Sequence, residues 1–503
     1  MVLKENRYSF SPVITIADFF SSKIEIVYLK DILLRENESY DENLIYLSVK
    51  NQLKNFKISN DLNLFFFSAH SWYRKFFLVL LKYLKENFNE SLFVVGGPDA
   101  IAQPNLYANY FDLVCKSEGE SFLIDLFSYL STFDSFISDV KYSVKVEILP
   151  ENISNCISKF SSIKVVKNSS KINIQRNLSS NFIISEKSDL KSKKEFLRNF
   201  YIKHSNKLFF DNKDEVDYII LKIEEIEKDQ KLFCFFPSFP LVTSFFHPIE
   251  IIRGCPQACK YCQTSNIFGR IPRKKDIDLV KVFLKYQIKN KKNHIRFISP
   301  DFALYFGNDV KLDFIKQWEK LIRFTIDEGE KNNLKIFLYL GSFPSELSLR
   351  YLKYEYLDLI SKYSATKKIT IGIQTASKRL QKIIGRNDPL DSIEDTLTYC
   401  QKIGLEPIID IILGLPEENQ EDREITFSFL EKNCSKQVTA NLHYFLPIPG
   451  TDFQNNLPTK LSSKEVLRVN KLISKGIALG NFFKQMNEFQ QRIEVPTQYL
   501  QNL

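Results

Sequence analysis

The stretch PIEIIRGCPQACKYC, residues 248–262, joins a short apolar segment to a loop with three cysteines. Three isoleucines among its first six residues favour a buried strand. Cys255, Cys259 and Cys262 follow with CxxxCxxC spacing. A structural zinc site is usually closed by four ligands, and no fourth Cys or His lies nearby. The count fits an iron–sulfur cluster with one iron that lacks a protein ligand; zinc completed by a distant ligand and a chance spacing are the alternatives.

The sequence after residue 248 repeats apolar segments that alternate with helical patterns. This repetition predicts a parallel barrel or partial barrel, with its chemistry at the carboxyl ends of the strands. One predicted helix, residues 395–403, ends at Gly404 in a plausible capping position. The predicted strands are residues 248–253, 294–299, 334–340, 368–374, 406–413 and 437–446. We place this barrel at residues 246–455 and a helical cap at residues 456–503.

The first part of the chain also alternates strand and helix patterns, which predicts an α/β, doubly wound sheet at residues 1–145. Ligands of such sheets bind beyond the carboxyl ends of the strands, and Gly96-Gly97-Pro98 is such a strand exit. Residues 146–245 read as a low-complexity connector. Predicted elements are strands at residues 23–28, 43–49, 62–68, 91–95 and 111–115, a helix at residues 73–88, and a helix in the connector near residues 191–201.

Composition excludes several classes of protein. The 503 residues include 69 basic and 60 acidic side chains, so the net charge of +9 is small for this length and diffuse. The longest uncharged run, residues 232–249, contains three prolines, which argues against a membrane helix. The N-terminus lacks the pattern of an export signal, and we therefore expect a cytoplasmic protein without a disulfide framework.

The cysteine loop, with Tyr261 before its last cysteine, and the repeated strand–helix pattern resemble the radical S-adenosylmethionine (SAM) superfamily. The resemblance implies that Cys255, Cys259 and Cys262 bind a 4Fe-4S cluster whose fourth iron is chelated by SAM. It also implies that one electron cleaves SAM to a 5′-deoxyadenosyl radical, which abstracts a hydrogen atom from a substrate. A one-electron donor such as flavodoxin or ferredoxin is then required.

Several strand ends carry further matches to this superfamily. SPD, residues 299–301 after the second strand, lacks the family's usual Gly-Gly-Glu. IGIQTAS, residues 371–377, resembles the family's Gly-Ile-Gln-Ser segment, and IIGRNDPL, residues 383–390, resembles its Asn-Arg-Gly-His stretch. FLPIPGTDF, residues 445–453, resembles its Pro-Gly-Thr turn. In DIILGLPEE, Gly414 and Glu417 match G-x-I-x-G-x-x-E, but Asp410 replaces the first glycine. Strand packing at IGIQTAS and an exposed surface position for the arginine are the alternatives. The resemblance implies cofactor contacts at Tyr261, Asp301, Ser342, Glu346, Gln374, Thr375, Arg386 and Gly414.

The segments VVGGPDA and DLVCKSEGES resemble the cobalamin-binding domain found before the barrel in one branch of this superfamily. The lower-ligand motif Asp-x-His-x-x-G of other cobalamin proteins is absent. Cobalamin binding therefore stays open beside a domain that keeps only the fold. A cobalamin-dependent methyltransferase or a related radical transformation of an unidentified substrate is the leading hypothesis.

Two other functions are considered. A methylthiotransferase acting on RNA or protein shares the barrel, but it needs a second cluster held by three N-terminal cysteines. This chain offers only Cys115, Cys156 and Cys234 before the loop, and they are widely spaced. A non-enzymatic nucleic-acid binder would use the basic excess, but no recognition motif accompanies it. The catalytic residues and the substrate are not specified by the sequence.

Overall fold

The computed structural model contains two compact units. The first comprises Met1–Ser205 and Asn212–Phe245, and the second comprises Asn206–Asp211 and Phe246–Leu503. The domain bounds drawn from the sequence stay a prediction. The structure describes residues 2–3, 15–16, 19, 28–29, 42–54, 63–70, 74–88, 91–116, 118–127, 163–168, 171–176, 183–184, 190–227, 229–239, 241, 248–306 and 314–494.

The first unit contains a parallel sheet whose strands lie in the order β3-β4-β5-β8. A parallel pair β1-β2 and an antiparallel pair β6-β7 are separate from this sheet. The strands are β1 Val2–Leu3, β2 Tyr28–Leu29, β3 Asn63–Ser68, β4 Ser91–Gly96, β5 Leu113–Cys115, β6 Ile163–Asn168, β7 Lys171–Arg176 and β8 Ile183–Ile184. Residues 119–127 are helical, and the other helices are α1 Glu42–Leu53, α2 Arg74–Asn87, α3 Pro98–Ala102, α4 Pro104–Ala108, α5 Leu190–Leu208 and α6 Lys213–Glu224.

Most predicted elements of this unit are confirmed. The sequence patterns correctly indicate strands β3, β4 and β5 and helix α2. The helix predicted near residues 191–201 is also present, and it is longer than predicted because α5 spans Leu190–Leu208. The prediction of a strand at residues 43–49 is wrong, because this segment belongs to α1. Val49 and Leu53 lie four residues apart, on one helical face, and both are buried in the core. The predicted strand at residues 23–28 lies outside the described residues except for Tyr28.

A close backbone approach fixes the exit of β4 beside the exit of β3. The Ala69 amide donates to the Gly96 carbonyl at 2.7 Å, and the Asp99 amide donates to the Ala69 carbonyl at 3.1 Å. Gly97 has φ +92°, and a Cβ there would lie 2.8 Å from the Ala69 nitrogen. Only glycine fits this conformation and spacing without strain.

We predict that Gly97→Ala destabilises the first unit by about 2 kcal/mol or more, because it adds both a positive-φ penalty and a backbone clash. Gly119→Ala is the matched control, since Gly119 is helical and its nearest neighbour would be 3.7 Å away. Hydrogen exchange of peptides covering β3 and β4 measures the effect. Equal protection in the two variants would contradict this account of Gly97.

The second unit contains two parallel sheets, β13-β12-β9 and β14-β15-β16-β17-β18, and an antiparallel pair β10-β11. The Thr370 amide donates to the Gly341 carbonyl at 2.8 Å, which connects β15 to the segment after β13. The strands are β9 Ile249–Glu250, β10 Ile252–Arg253, β11 Arg273–Lys274, β12 His294–Ile298, β13 Phe337–Tyr339, β14 Leu347–Ser348, β15 Lys368–Gln374, β16 Glu406–Leu413, β17 Thr439–Tyr444 and β18 Ala478–Leu479.

Helices cover these sheets and complete the unit. They are α7 Thr264–Phe268, α8 Ile277–Lys289, α9 Phe314–Lys331, α10 Tyr354–Tyr363, α11 Lys378–Ile383, α12 Ile393–Lys402, α13 Gln420–Asn433, α14 Ser463–Ser474 and α15 Phe482–Glu494. Phe297 packs its ring edge-on against Trp318 of α9, so alternate residues of β12 face the helical layer. The predicted helix α12 and its glycine cap are confirmed, and Gly404 has φ +76°. The C-terminal region contains the helices α14 and α15 with the short strand β18 between them.

The predicted strands of this unit are all confirmed, with one difference at the first. That strand is divided into β9 and β10, which pair with different partners. The patterns missed three two-residue strands of this unit. They are β11, which pairs with β10, and β14 and β18, which extend the five-stranded sheet at its edges. Within the described part of the chain, no helix is both long and apolar enough to span a bilayer.

Candidate metal centre

The cysteine loop begins with a sharp reversal of the chain. Gly254 has φ +88°, and a Cβ there would lie 2.8 Å from the Ile271 carbonyl oxygen. The Cys255 amide donates to the Gly269 carbonyl at 3.1 Å. Glycine is required at residue 254 because the returning segment passes so close. The chain then continues into β11, which pairs antiparallel with β10.

Backbone hydrogen bonds attach the loop to two distant segments of the sequence. The Lys260 amide donates to the Ile384 carbonyl at 2.9 Å, and the Phe453 amide donates to the Lys260 carbonyl at 3.1 Å. The Gln263 side-chain amide donates to the Pro449 carbonyl at 2.6 Å. Ile384 belongs to IIGRNDPL and Phe453 to FLPIPGTDF, so two of the segments noted in the sequence contact the cysteine loop.

The three thiols lie in a partly desolvated setting. Burial raises the pKa of the Cys255 thiol to about 12 and also raises the pKa of Cys259. Polar side chains reach two of the sulfurs: Gln257 Oε1 lies 3.4 Å from Cys259 Sγ, and Thr264 Oγ1 lies 3.4 Å from Cys262 Sγ. Thiolates in such a setting need positive charge close by, from a bound metal or from the protein.

Arg386 provides a buried positive charge beside the loop, with 7% of its side chain exposed. Its Nε donates to Asp388 Oδ2 at 2.6 Å, its Nη2 to the Gly372 carbonyl at 2.8 Å, and its Nη1 to the Tyr261 hydroxyl at 3.0 Å. Nη1 is 4.0 Å from Cys259 Sγ. Burial is the largest influence on the Cys259 pKa, and the guanidinium opposes it. Arg386 is therefore not an exposed surface residue, and it pairs with the buried carboxylate of Asp388.

We predict that Arg386→Gln destabilises the protein by about 3–5 kcal/mol, because it leaves Asp388 as a buried charge without its cation. Asp388 was not singled out from the sequence, and its side chain is 1% exposed. The double variant with Asp388→Asn is expected to recover part of the loss. Urea unfolding of both variants measures the difference, and equal stability of the single and double variants would contradict the pairing.

Asp301 connects the end of β12 to β14. Its Oδ1 accepts from the Ala303 amide at 2.8 Å and its Oδ2 from the Ser348 amide at 2.7 Å. The side chain is buried, which raises its pKa to about 6. Both oxygens therefore have a backbone partner, and these bonds place the segment between Ser342 and Glu346 beside the end of β12.

Glu346 is a partly buried carboxyl group, and Asp410 is a buried one. Burial, together with the charges of Asp410 and Asp301, raises the pKa of Glu346 to about 7. Burial also raises the pKa of Asp410, which accepts from Asn441 Nδ2 at 2.7 Å. The Ser342 hydroxyl is buried without a hydrogen-bond partner among the described residues. Together, these side chains can accept hydrogen bonds from a cationic ligand.

Gln374 and Thr375, at the end of β15, have different surroundings. Gln374 has φ +67°, a conformation that is uncommon for a residue with a side chain, and the register of β15 against β16 shifts there. Thr375 is fully buried, and its hydroxyl lies 3.2 Å from the Thr426 hydroxyl of α13. Strain at a strand exit is typical of functional sites, whereas the contacts of Thr375 are those of a packed side chain.

In the segment after β16, the buried carboxyl group belongs to Glu418. Glu417, which matches the family pattern by letter, is exposed and has φ +62°. The Gly414 amide donates to Glu418 Oε2 at 2.7 Å, and Arg423 Nη1 is 3.5 Å from the same oxygen. Burial raises the pKa of Glu418 to about 7. Gly414 has φ +79°, and a Cβ there would lie 2.8 Å from the ring of Tyr444.

We predict that Glu418→Gln changes the pH dependence of stability. The folded state favours the protonated carboxyl, so Glu418 contributes most below pH 4.5, its ordinary pKa, and the contribution is lost as the pH rises through about 7. As the pH rises over that interval, the free energy of unfolding of the variant should increase relative to that of wild type by about 1–3 kcal/mol. Urea unfolding across this pH range measures it, with Glu417→Gln as control. A stability difference between Glu418→Gln and wild type that does not change with pH would contradict the raised pKa of Glu418.

The donor set fits an iron–sulfur cluster. Three thiols lie on one loop, and two of them have a polar side chain within 3.4 Å of the sulfur. Among the described residues, no three His, Cys, Asp or Glu side chains are placed so that they could hold one metal ion together. The cysteines of a 4Fe-4S cluster each bind a different iron, so they are spread around the cluster.

Comparison with known proteins identifies a known domain in the second unit. Residues 249–430 match the family model of the Radical SAM superfamily. The matched region contains the cysteine loop, Arg386 and Gly414, whose positions are described above.

The relatives and solved structures are distant. A tRNA-2-methylthio-N(6)-dimethylallyladenosine synthase of Thermosipho melanesiensis is 27% identical over 45% of this chain and 52% of its own length. A hopanoid C-2 methylase of Rhodopseudomonas palustris is 25% identical over 40% of this chain and 36% of its own. The chain spans about half the length of the curated relatives it matches, 41% and 46% for two of them.

One solved structure is similar along most of the chain. It is TsrM, a radical S-adenosylmethionine methyltransferase from Kitasatospora setae with cobalamin and a [4Fe-4S] cluster bound. The similarity covers 89% of this chain and 74% of TsrM, with a TM-score of 0.50 and 12% sequence identity. At this identity the similarity concerns the fold.

Proposed function

We propose that this protein is a radical SAM enzyme in which Cys255, Cys259 and Cys262 hold a 4Fe-4S cluster. The observation that carries the proposal is the attachment of the cysteine loop to the segments around Ile384 and Phe453, with the buried guanidinium of Arg386 beside Cys259. The cluster and SAM, when bound, supply a 5′-deoxyadenosyl radical by one-electron cleavage of SAM.

The residues around the loop would orient these cofactors and exclude water. The side chains of Gln257 and Thr264 lie against the sulfurs of Cys259 and Cys262. Arg386 would offset the negative charge of the thiolates while it donates to the Tyr261 hydroxyl. The carboxyl groups of Glu346 and Asp301, with the buried hydroxyl of Ser342, would contact the cationic methionine part of SAM. Behind the loop, an apolar cluster keeps the site dry: Leu380, Ile384, Leu415, Phe445 and Phe453.

The proposal includes the finer architecture. The two parallel sheets of the second unit would form one partial (βα)6 barrel, joined where Thr370 bonds Gly341. In such a barrel the carboxyl ends of the strands meet at one mouth. The C-terminal helices α14 and α15 would cap it. A reducing cytoplasm would suit the free cysteines and the oxygen-sensitive cluster.

The proposal extends to cobalamin in the first unit. The exits of β3 and β4 meet at a parallel sheet edge, where Gly97 permits backbone approach. This edge fits the ligand crevice of doubly wound sheets. Cobalamin bound there would make methyl transfer to an unactivated carbon, or a related rearrangement, the reaction class. Cobalamin content of protein purified after growth with the vitamin tests this part by itself.

A methylthiotransferase is the second candidate, favoured by the similarity to the tRNA-modifying synthase of Thermosipho melanesiensis. That function needs a second cluster. Of the cysteines before the loop, Cys115 is buried and Cys234 lies far from it in the sequence. Iron analysis separates the candidates, because one cluster contributes about four irons per chain and two contribute about eight.

We predict that anaerobically reconstituted protein binds about four irons per chain and cleaves SAM to 5′-deoxyadenosine and methionine when reduced by dithionite. Cys255→Ala, Cys259→Ala and Cys262→Ala should each abolish this cleavage, because each removes a cluster ligand. Cys434→Ala is the matched control, since Cys434 lies at the end of α13, and it should behave as wild type. Wild-type protein that binds iron but leaves SAM intact would refute the proposal.

A further inference from the structure

The imidazole of His70 lies at the carboxyl edge of the parallel sheet in the first unit, just beyond the end of β3. Its side chain is partly buried, and its Nε2 is buried without a hydrogen-bond partner among the described residues. A buried polar atom that stays unsatisfied costs stability, so it calls for a group that satisfies it. At a strand exit of a doubly wound sheet, that group is most simply a bound ligand.

The backbone that carries His70 is held in place by its neighbour, Ala69. The Ala69 amide donates to the Gly96 carbonyl at 2.7 Å, and the Ala69 carbonyl accepts from the Asp99 amide at 3.1 Å. A Cβ at Gly97 would lie 2.8 Å from the Ala69 nitrogen, so the turn beside this segment has no room for a side chain. The imidazole therefore belongs to a fixed segment, as a ligand residue should.

Asp99 is the carboxylate whose charge acts on His70, but its oxygens are engaged by other side chains. Arg74 Nε donates to Oδ2 at 2.9 Å and Arg74 Nη2 to Oδ1 at 2.8 Å, and the Tyr107 hydroxyl donates to Oδ2 at 2.5 Å. Gln103 Nε2 donates to Oδ1 at 3.2 Å. Burial lowers the pKa of His70 and outweighs the opposing charge of Asp99. The ring is therefore neutral at pH 7, the form that offers a nitrogen lone pair to a metal.

One imidazole cannot hold a free metal ion by itself. Within the part of the chain that the structure describes, no three His, Cys, Asp or Glu side chains are placed to hold one ion together. A metal that brings its other ligands with it needs only one from the protein. The cobalt of a corrinoid is such a metal, because the macrocycle occupies its equatorial positions. His70 therefore suits an axial ligand better than a member of a site built from protein side chains alone.

We propose that the imidazole of His70 is the protein ligand to an axial position of the cobalt in a corrinoid bound at this strand exit. This inference rests on the cobalamin part of the proposed function. The coordination bond forms from the imidazole lone pair, and the water or the corrinoid's own base that held that position leaves; no electron or proton is transferred. His70 is not part of an Asp-x-His-x-x-G sequence, which the chain lacks, so its place after β3 and its unsatisfied nitrogen point to this role.

The test observes the cobalt directly and needs no measurement of activity. The whole chain is loaded with hydroxocobalamin, freed of unbound corrinoid by gel filtration and reduced to the cob(II)alamin state. An axial nitrogen splits the electron paramagnetic resonance lines of cobalt(II) into triplets when it is ¹⁴N and into doublets when it is ¹⁵N. Protein made with ¹⁵N-labelled histidine and loaded with unlabelled hydroxocobalamin therefore distinguishes a histidine ligand from the corrinoid's own base.

We expect triplets from unlabelled wild-type protein and doublets from the ¹⁵N-histidine protein. His70→Ala should lose the doublets and regain them when ¹⁵N-labelled imidazole is added, because the free imidazole can enter the space that the ring leaves. The control is His294→Ala, which removes an exposed histidine of β12 in the second unit and should keep the doublets. Since the splitting is observed for bound cobalt, a variant that retains less cobalamin still gives a clear result.

Triplets that persist in the ¹⁵N-histidine protein would show that the corrinoid's own base binds the cobalt, and unsplit lines would show that no nitrogen does. Either result overturns the role of His70 and leaves cobalamin binding intact. Doublets that persist in His70→Ala without imidazole assign the ligand to another histidine and also overturn it. Failure of the proposed function looks different: wild-type protein that retains no cobalamin overturns its cobalamin part together with this inference, and the cysteine variants test the cluster separately.

Discussion

The buried guanidinium of Arg386 is the interaction on which the candidate site depends. A charge that is almost fully removed from water requires compensation on each of its donor groups. Asp388, the Gly372 carbonyl and the Tyr261 hydroxyl provide it. These partners belong to the loop after α11, to β15 and to the cysteine loop, so one side chain joins three segments that are far apart in sequence. Losing any partner would leave an unsatisfied polar group inside the protein.

Long elements of the second unit could be predicted because their patterns are long enough to carry a signal. Strands β15 and β16 coincide with the predicted ranges at both ends. The two-residue strands β14 and β18 could not be predicted from the sequence, because two residues show no periodicity. Their pairing depends on the neighbouring strands. In α1, the short apolar run at residues 43–49 led to the wrong strand prediction, and the burial of Val49 and Leu53 on one face shows the helical period.

In the candidate site too, the sequence singled out some residues and missed others. The spacing singled out the three cysteines as candidate ligands, since ligands on one loop are local in sequence. Asp388 was missed because its role is to neutralise Arg386, which is a property of burial rather than of any motif. Glu418 was missed because the letter match fell on Glu417, one residue earlier. A motif specifies residue types at a spacing, whereas the backbone conformation decides which side chain turns inward.

The glycines and the cations of this chain show when a compositional bias is informative. Only 15 glycines occur, and twelve of them lie between Gly254 and Gly480. Gly97, Gly254 and Gly414 have positive φ at places where a side chain would meet neighbouring atoms, so a physical requirement preserves them. The overall excess of basic residues carries no comparable meaning, because most solvated lysines have no positional requirement.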